Sequence, residues 1–197
     1  METSDNSLIE AHRRGDQDAF GELVRRYGDG VLGYLVKMSR NREQAEDLFQ
    51  ETFKRVHEKA HTFRGSHFKS WLFRIATHVA IDGLRKRKRR QAVSLNQPLD
   101  CPDGDNCESL EAVAVADDSC DPSQEAERAE QVEKVREAVA SLPDRQRATL
   151  ILAYYQQLSY REVAAMLGCS IGTVKTQMYR ALRTLAERLP DVTGVVE

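Results

Sequence analysis

The sequence predicts an all-α protein of two small helical domains joined by a flexible acidic linker. Three observations carry that expectation. Apolar residues recur at three- and four-residue spacing through both ends of the chain, and no stretch alternates convincingly as a strand. Between Asn96 and Glu127 lie ten Asp or Glu, three Pro, one Gly and no Lys, Arg or aromatic residue, a composition that buries too little apolar surface to offset its ordering entropy. Near the far end, Ser159 to Leu189 carries the caps, turn and apolar stripes of two short helices packed across a tight corner. The resulting division is a domain at 1–92, a linker at 93–125, a second domain at 126–190 and a tail at 191–197.

Composition sets the outer bounds. The chain has 197 residues, 41% hydrophobic and 30% charged, which describes a soluble protein able to bury a core. Its N-terminal stretch has no apolar h-region, and no run approaches the ~18 apolar residues of a spanning helix. The expectation is a cytoplasmic protein with no membrane insertion. A net charge of −2 conceals strong asymmetry, because residues 53–90 carry twelve Lys or Arg against two acids.

In the first domain, Phe20, Leu23, Val24 and Tyr27 fit one amphipathic face, and Val31, Leu32, Leu35 and Val36 a second. Ala45, Leu48, Phe49, Thr52, Phe53 and Val56 make a third stripe. Its other side presents Glu46, Asp47, Gln50 and Glu51, either a solvated surface or a patch for a basic partner. Gly65 and Ser66 interrupt the pattern, and a fourth helix follows with Trp71, Leu72, Ile75, Val79 and Leu84 facing inward. It ends in Arg85-Lys86-Arg87-Lys88-Arg89-Arg90. Six consecutive residues turn through about 600° of helix, so at most half can face one duplex. With Arg64, Lys69 and Arg74 before them, they suit a phosphate-binding strip.

His57-Glu58-Lys59-Ala60-His61 is a literal H-E-x-x-H, the pattern of a zinc-dependent hydrolase. Its setting opposes that reading: Arg64 stands where the extended motif needs glycine, positive charge surrounds it, and no strands precede it. The cysteines Cys101, Cys107, Cys120 and Cys169 form no C-x-x-C pair. The first three fall in the linker, as incidental thiols or as a redox or metal switch.

In the second domain, Ala129, Val132, Val135, Val139 and Leu142 are candidate core positions of one helix, and Pro143 suits the first turn of the next. Leu150, Ile151 and Tyr154 can pack behind the final pair. There, Ser159 and Glu162 form a capping box, Gly168 supplies a left-handed stop, and Ser170 caps the last helix. Val174, Met178, Ala181, Leu182 and Leu185 make its buried stripe, with Lys175, Thr176, Gln177 and Arg180 turned away. Such a pair fits either a major groove or a plain helical hairpin.

AFGELVRRY, AEDLFQETF, FKSWLFRIATHVAIDGLRKRKRR and LPDRQRATLILAYYQQLSYREVAAMLGCSIGTVKTQMYRAL, in that order, resemble the extracytoplasmic-function (ECF) group of bacterial RNA polymerase sigma factors. The resemblance spans about four fifths of the chain and implies region 2 in the first domain and region 4, with its helix-turn-helix, in the second. It implies that Glu46, Asp47, Gln50 and Glu51 dock on the clamp of core polymerase. It further implies that Arg64, Phe68, Lys69, Arg74, His78, Arg85 and Lys86 engage the minus-ten element. Ser170, Thr173, Lys175, Thr176, Gln177 and Arg180 would read the minus-thirty-five duplex. His78 and Gln177 depart from the family's frequent Asn and basic residue, so promoter sequence does not transfer. The implied partners are core polymerase, promoter DNA and an anti-sigma factor, with no cofactor and no catalytic centre. A polymerase-independent helix-turn-helix regulator is the alternative, but it leaves the AEDLFQETF face without a role.

Overall fold

The computed structural model describes residues 3–65, 67–94 and 122–189, with 91–94 and 122–127 through their backbone alone. Every regular element among the described residues is helical. The first group is α1 (Asp5–Arg13), α2 (Gln17–Ser39), α3 (Arg42–Lys59) and α4 (Phe68–Ser94), with a 3₁₀ turn at Ala60–Thr62. The second is α5 (Pro122–Ser141), α6 (Asp144–Leu150), α7 (Tyr160–Leu167) and α8 (Ile171–Arg188). A π turn, Ile151–Tyr155, extends α6. Most of the expected linker lies outside the described residues, as do Cys101, Cys107 and Cys120; its described ends are helical, since α4 runs to Ser94 and α5 starts at Pro122.

Helix α1 was not anticipated. The Ser4 hydroxyl accepts from the Ser7 N–H at 3.2 Å, and Leu8 and Ile9 bury the inner face. Gly15, at φ +100°, turns the chain into α2, where the Asp16 carboxylate accepts from the Ala19 N–H at 3.1 Å. The two apolar faces expected over residues 20–36 belong to this single helix. Gly28 and Gly30 do not break it, because their hydrogens lie against the rings of Phe49 and Phe73 at helix crossings. The α3–α4 crossing is tighter still: a Cβ on Gly83 would sit 2.7 Å from Cδ2 of Leu48.

Several expected core positions lie outside. Leu182 is 53% exposed, being one residue and about 100° past Ala181 on the inward stripe. Ala129 and Val132 are exposed because the apolar packing of α5 begins at Val135 and rests on Val139 and Leu142. Tyr154 is 73% exposed because the wide π turn rotates the register that the α-helical period assumes.

The two groups of helices also meet. One continuous buried cluster runs from Leu72 and Val79 of the first group to Ile151, Leu152 and Val163 of the second. Polar bonds cross the same seam. Arg147 donates from Nη1 to the Met38 carbonyl at 2.6 Å, Ser70 donates to the Glu162 carboxylate at 2.8 Å, and the Lys88 ammonium lies 2.9 Å from the Asp144 carboxylate.

Candidate nucleic-acid interface

The helix-turn-helix is built from its caps outward. Ser159 Oγ accepts from the Glu162 N–H at 3.3 Å, and the Glu162 carboxylate accepts from the Ser159 N–H at 2.9 Å. The Ser159 hydroxyl is the largest of the influences holding that carboxyl below the usual range, followed by the Ser159 N–H and the Ser70 hydroxyl. Gly168, at φ +62°, ends α7 in the left-handed region. Ser170 then starts α8 by accepting from the Thr173 N–H at 3.1 Å. Val174, Met178 and Ala181 face inward, which turns Lys175, Thr176 and Arg180 to solvent.

The hydroxyls on this helix are partly committed. Ser170 and Thr173 lie 2.9 Å apart within the cap, and Thr176 donates to the Gly172 carbonyl at 3.0 Å. Lys175 and Arg180 supply the exposed positive charge. Gln177 is half-buried at the edge of a cleft of about 320 Å³, lined also by Arg180, Arg145 of α6, and Ile81 and Arg85 of α4. Arg145 was missed in the sequence because it stands a helix away from the recognition stretch; its place in the first turn of α6 is the only signal it offered.

On the first group, Arg64, Lys69, Arg74, His78, Arg85 and Lys86 are exposed. Phe68 is not. At 1% exposure its ring is packed against Tyr27, Phe63 and Trp71, so the expected direct contact with a base is replaced by a core role beneath the half-buried Trp71. His78 Nδ1 lies 2.8 Å from the Arg74 carbonyl, leaving Nε2 as its outward group. The basic run divides as helical geometry requires: Arg87 donates to Gln44 of α3 at 2.9 Å, Lys88 pairs with Asp144, and Arg85 enters the cleft.

The acidic face of α3 is also divided. Glu46 pairs with Arg42 at 3.1 Å and Glu51 with Arg55 at 2.7 Å, both one turn away on the same helix. Asp47 and Gln50 are exposed beside them. The H-E-x-x-H segment straddles a helix end. The ring of His57 lies against Phe20 and His12, at 5.7 and 4.9 Å, whereas His61 falls in the 3₁₀ turn after Lys59. Among the described residues no three His, Cys, Asp or Glu side chains gather as a metal site, and no helix is long and apolar enough to cross a membrane.

With this geometry in view, the relatives are informative. Residues 23–90 match the family model for Sigma-70 region 2, and residues 132–185 that for Sigma-70, region 4. The ECF RNA polymerase sigma factor SigW of Bacillus subtilis is 31% identical over 98% of this chain and 100% of its own length. The ECF RNA polymerase sigma factor RpoE of Cereibacter sphaeroides is 33% identical over 92% of this chain and 91% of its own. Among solved structures, the sigma factor RpoE of Bartonella quintana, in complex with the anti-sigma factor NepR, aligns with TM-score 0.64 and 26% identity over 87% of this chain and 96% of that one. Two helical groups with these motifs in this order, and relatives aligned across both, identify a sigma factor: the chain belongs to the ECF group of RNA polymerase sigma factors.

Proposed function

We propose that this sigma factor divides promoter recognition between its two helical groups, the first acting as region 2 over residues 1–92 and the second as region 4 over 126–190. The observation that carries the reading is the outward set on α8. Lys175 and Arg180 leave the helix-turn-helix on the solvent side of α8 and the half-buried Gln177 flanks its buried stripe, where a recognition helix meets base edges and phosphates of the minus-thirty-five element. Ser170 and Thr173 serve first as the cap that aims this helix, and their hydroxyls and that of Thr176 lie on its solvent side.

On the first group, Arg64, Lys69, Arg74, His78, Arg85 and Lys86 form the cationic surface for the minus-ten element, with Phe68 supporting Trp71 from below. Glu46, Asp47, Gln50 and Glu51 dock on the clamp of core polymerase, Asp47 and Gln50 making first contact because their neighbours are tied to Arg42 and Arg55. The protein works beside polymerase in the cytoplasm, carries no catalytic site or cofactor of its own, and is open to an anti-sigma factor, the class of partner bound to its Bartonella quintana relative. Either group alone offers a small surface. Joining both to the enzyme supplies the effective concentration that binding needs.

Run-off transcription tests this directly. Core polymerase with this chain is expected to start at a defined position on a cognate promoter, and Lys175→Ala with Arg180→Ala to lose upstream protection first. A core enzyme that stays inert with every candidate promoter, while the chain alone binds DNA, would establish the polymerase-independent regulator instead.

A further inference from the structure

Arg13, the last residue of α1, binds backbone that lies 47 and 50 positions further along the chain. Its guanidinium reaches the turn that joins α3 to α4. Nε donates to the Ala60 carbonyl at 2.8 Å, and Nη2 donates to the same carbonyl at 2.6 Å and to the Phe63 carbonyl. Carbonyls at a helix end lack an intrahelical partner, and the Phe63 N–H meets the Ala60 oxygen only at 3.2 Å. A planar fork can span two such oxygens, and positive charge at a helix C-terminus is favourable. The packing of α1 itself rests on Leu8 and Ile9 rather than on Arg13. Its other end is fixed to α2, because the Asp5 carboxylate accepts from Arg26 Nη1 at 2.7 Å and from the Tyr27 hydroxyl. Helix α1 is thus a strut that carries the guanidinium to a set place.

The clamped turn leads straight into the cationic surface of the first group. Phe63 has an extended backbone, and the exposed Arg64 and then Gly65, at φ +137°, follow it. The Phe63 ring is 6% exposed and packs on Phe68 at 5.7 Å and on Trp71 at 5.3 Å. Holding the Phe63 carbonyl therefore sets two things at once. One is the direction in which Arg64 leaves the chain, and the other is the floor under the half-buried indole of Trp71.

We propose that Arg13 is a positioning residue for minus-ten recognition: without touching DNA, it holds the Ala60–Phe63 turn so that Arg64 and the face around Trp71 keep one geometry toward unstacked bases. A splayed base needs an aromatic face and a cation at matched positions, and a turn free to shift cannot keep them matched. The consequence for DNA rests on the region 2 reading above; the clamp on the turn does not.

Three variants of the full-length chain test this. Arg13→Met keeps an unbranched side chain without donors, Arg13→Lys keeps the charge without the fork, and Arg64→Ala removes the cation that the turn aims. The probe is single-stranded DNA carrying the minus-ten element of a promoter at which the wild-type holoenzyme starts. Arg13→Met holoenzyme is expected to bind it about tenfold more weakly, the order of one misaligned base stack. Arg13→Lys is expected to lose about threefold, and it carries the comparison alone if Arg13→Met does not fold. Affinity for core polymerase and protection of the minus-thirty-five duplex are expected to stay at wild-type values. Trp71 is the one tryptophan of the chain, so its emission in the free protein reports on the turn and is expected to shift to the red in Arg13→Met. Wild-type DNA affinity in both Arg13 variants overturns the proposal. So does core affinity that falls in step with DNA affinity, because loss of the folded domain weakens both. Undiminished binding by Arg64→Ala would refute the minus-ten assignment; a red-shifted Trp71 in Arg13→Met would still establish the clamp, and an unshifted one would overturn it.

Discussion

Tyr34 of α2 and Thr77 of α4 share a buried hydrogen bond of 2.9 Å, and the donor is Tyr34. The single hydroxyl proton of Thr77 is committed to the Phe73 carbonyl at 2.7 Å, so its oxygen is left to accept. Both residues are almost wholly enclosed, in the layer where α2 crosses α4. Tyr34→Phe is therefore expected to cost about 1 kcal/mol in urea denaturation, the usual net worth of one internal hydrogen bond. Thr77→Ala removes the acceptor, strands the phenol and is expected to cost more.

The same phenol makes stability fall at high pH. Burial pushes Tyr34 well above its ordinary value, and burial followed by the bond to Asp5 pushes Tyr27 up to about 12. A neutral acid raised by folding contributes fully below its unfolded pKa of about 10 and progressively less as pH rises through the folded value. Denaturation midpoints are expected to hold steady to about pH 10 and then drop, with a shallower drop in Tyr34→Phe. Identical slopes in the two proteins would place the alkaline loss elsewhere.

Much of this core was legible from side-chain period alone. Leu23, Val31, Leu35, Val56, Leu72 and Val79 are all buried, because each lies on a stripe repeated over several turns. The caps at Ser159 and Ser170 and the left-handed Gly168 were legible for a different reason, since their hydrogen bonds are local. What failed depended on geometry that period does not encode. Tyr154 moved outward with a π turn, Leu182 sat one residue off its stripe, and Phe68 went inward because Tyr27, Phe63 and Trp71 converge on it from three segments. The pairing of Arg147 with Met38 joins residues 109 positions apart and leaves no trace in either local sequence.

The capping box sets a prediction at acid pH. Ser159→Ala removes the acceptor for the Glu162 N–H and is expected to cost about 1 kcal/mol of stability. Glu162 is held below the ordinary glutamate range, chiefly by the Ser159 hydroxyl, so its contribution is present above that range and is lost as pH falls through the folded pKa. Thermal melting from pH 6 down to about 3 is expected to show a drop in the wild type that Glu162→Gln lacks. A drop of equal size in both would mean that another carboxylate governs the acid limb.

On α8 the cations and the amide are expected to fail differently. Removing the Arg180 guanidinium weakens binding evenly across promoter sequences and lowers the salt slope by about 1, as for a phosphate contact. Gln177→Ala is expected to lose about 1–3 kcal/mol of discrimination at a single base pair, the worth of a bidentate amide on adenine. Promoter-variant binding to holoenzyme at several salt concentrations separates them, and an Arg180→Ala defect confined to one base would reverse the two roles.

Gln157 supplies a prediction in which a substitution strengthens the protein. It follows the π turn at φ +52°, one of two non-glycine residues with positive φ among those described, the other being Arg40 at the end of α2. A side chain with a Cβ pays conformational energy there, about 1 kcal/mol or more, which glycine avoids. Against that gain stands the greater freedom glycine gives the unfolded chain, which offsets part of it. The Gln157 side chain is exposed, so little packing is lost. Gln157→Gly is therefore expected to raise stability by about 0.5 kcal/mol, seen as a higher urea midpoint at unchanged slope. The neighbouring Gln156 bears on the seam, because its carbonyl accepts from Lys69 and its amide reaches the Gly30 carbonyl at 3.5 Å. Relief of strain that leaves the turn in place keeps those bonds, so the variant is expected to scatter as compactly as the wild type. A stabilised but expanded Gln157→Gly would show instead that the left-handed residue helps to aim the turn at α4.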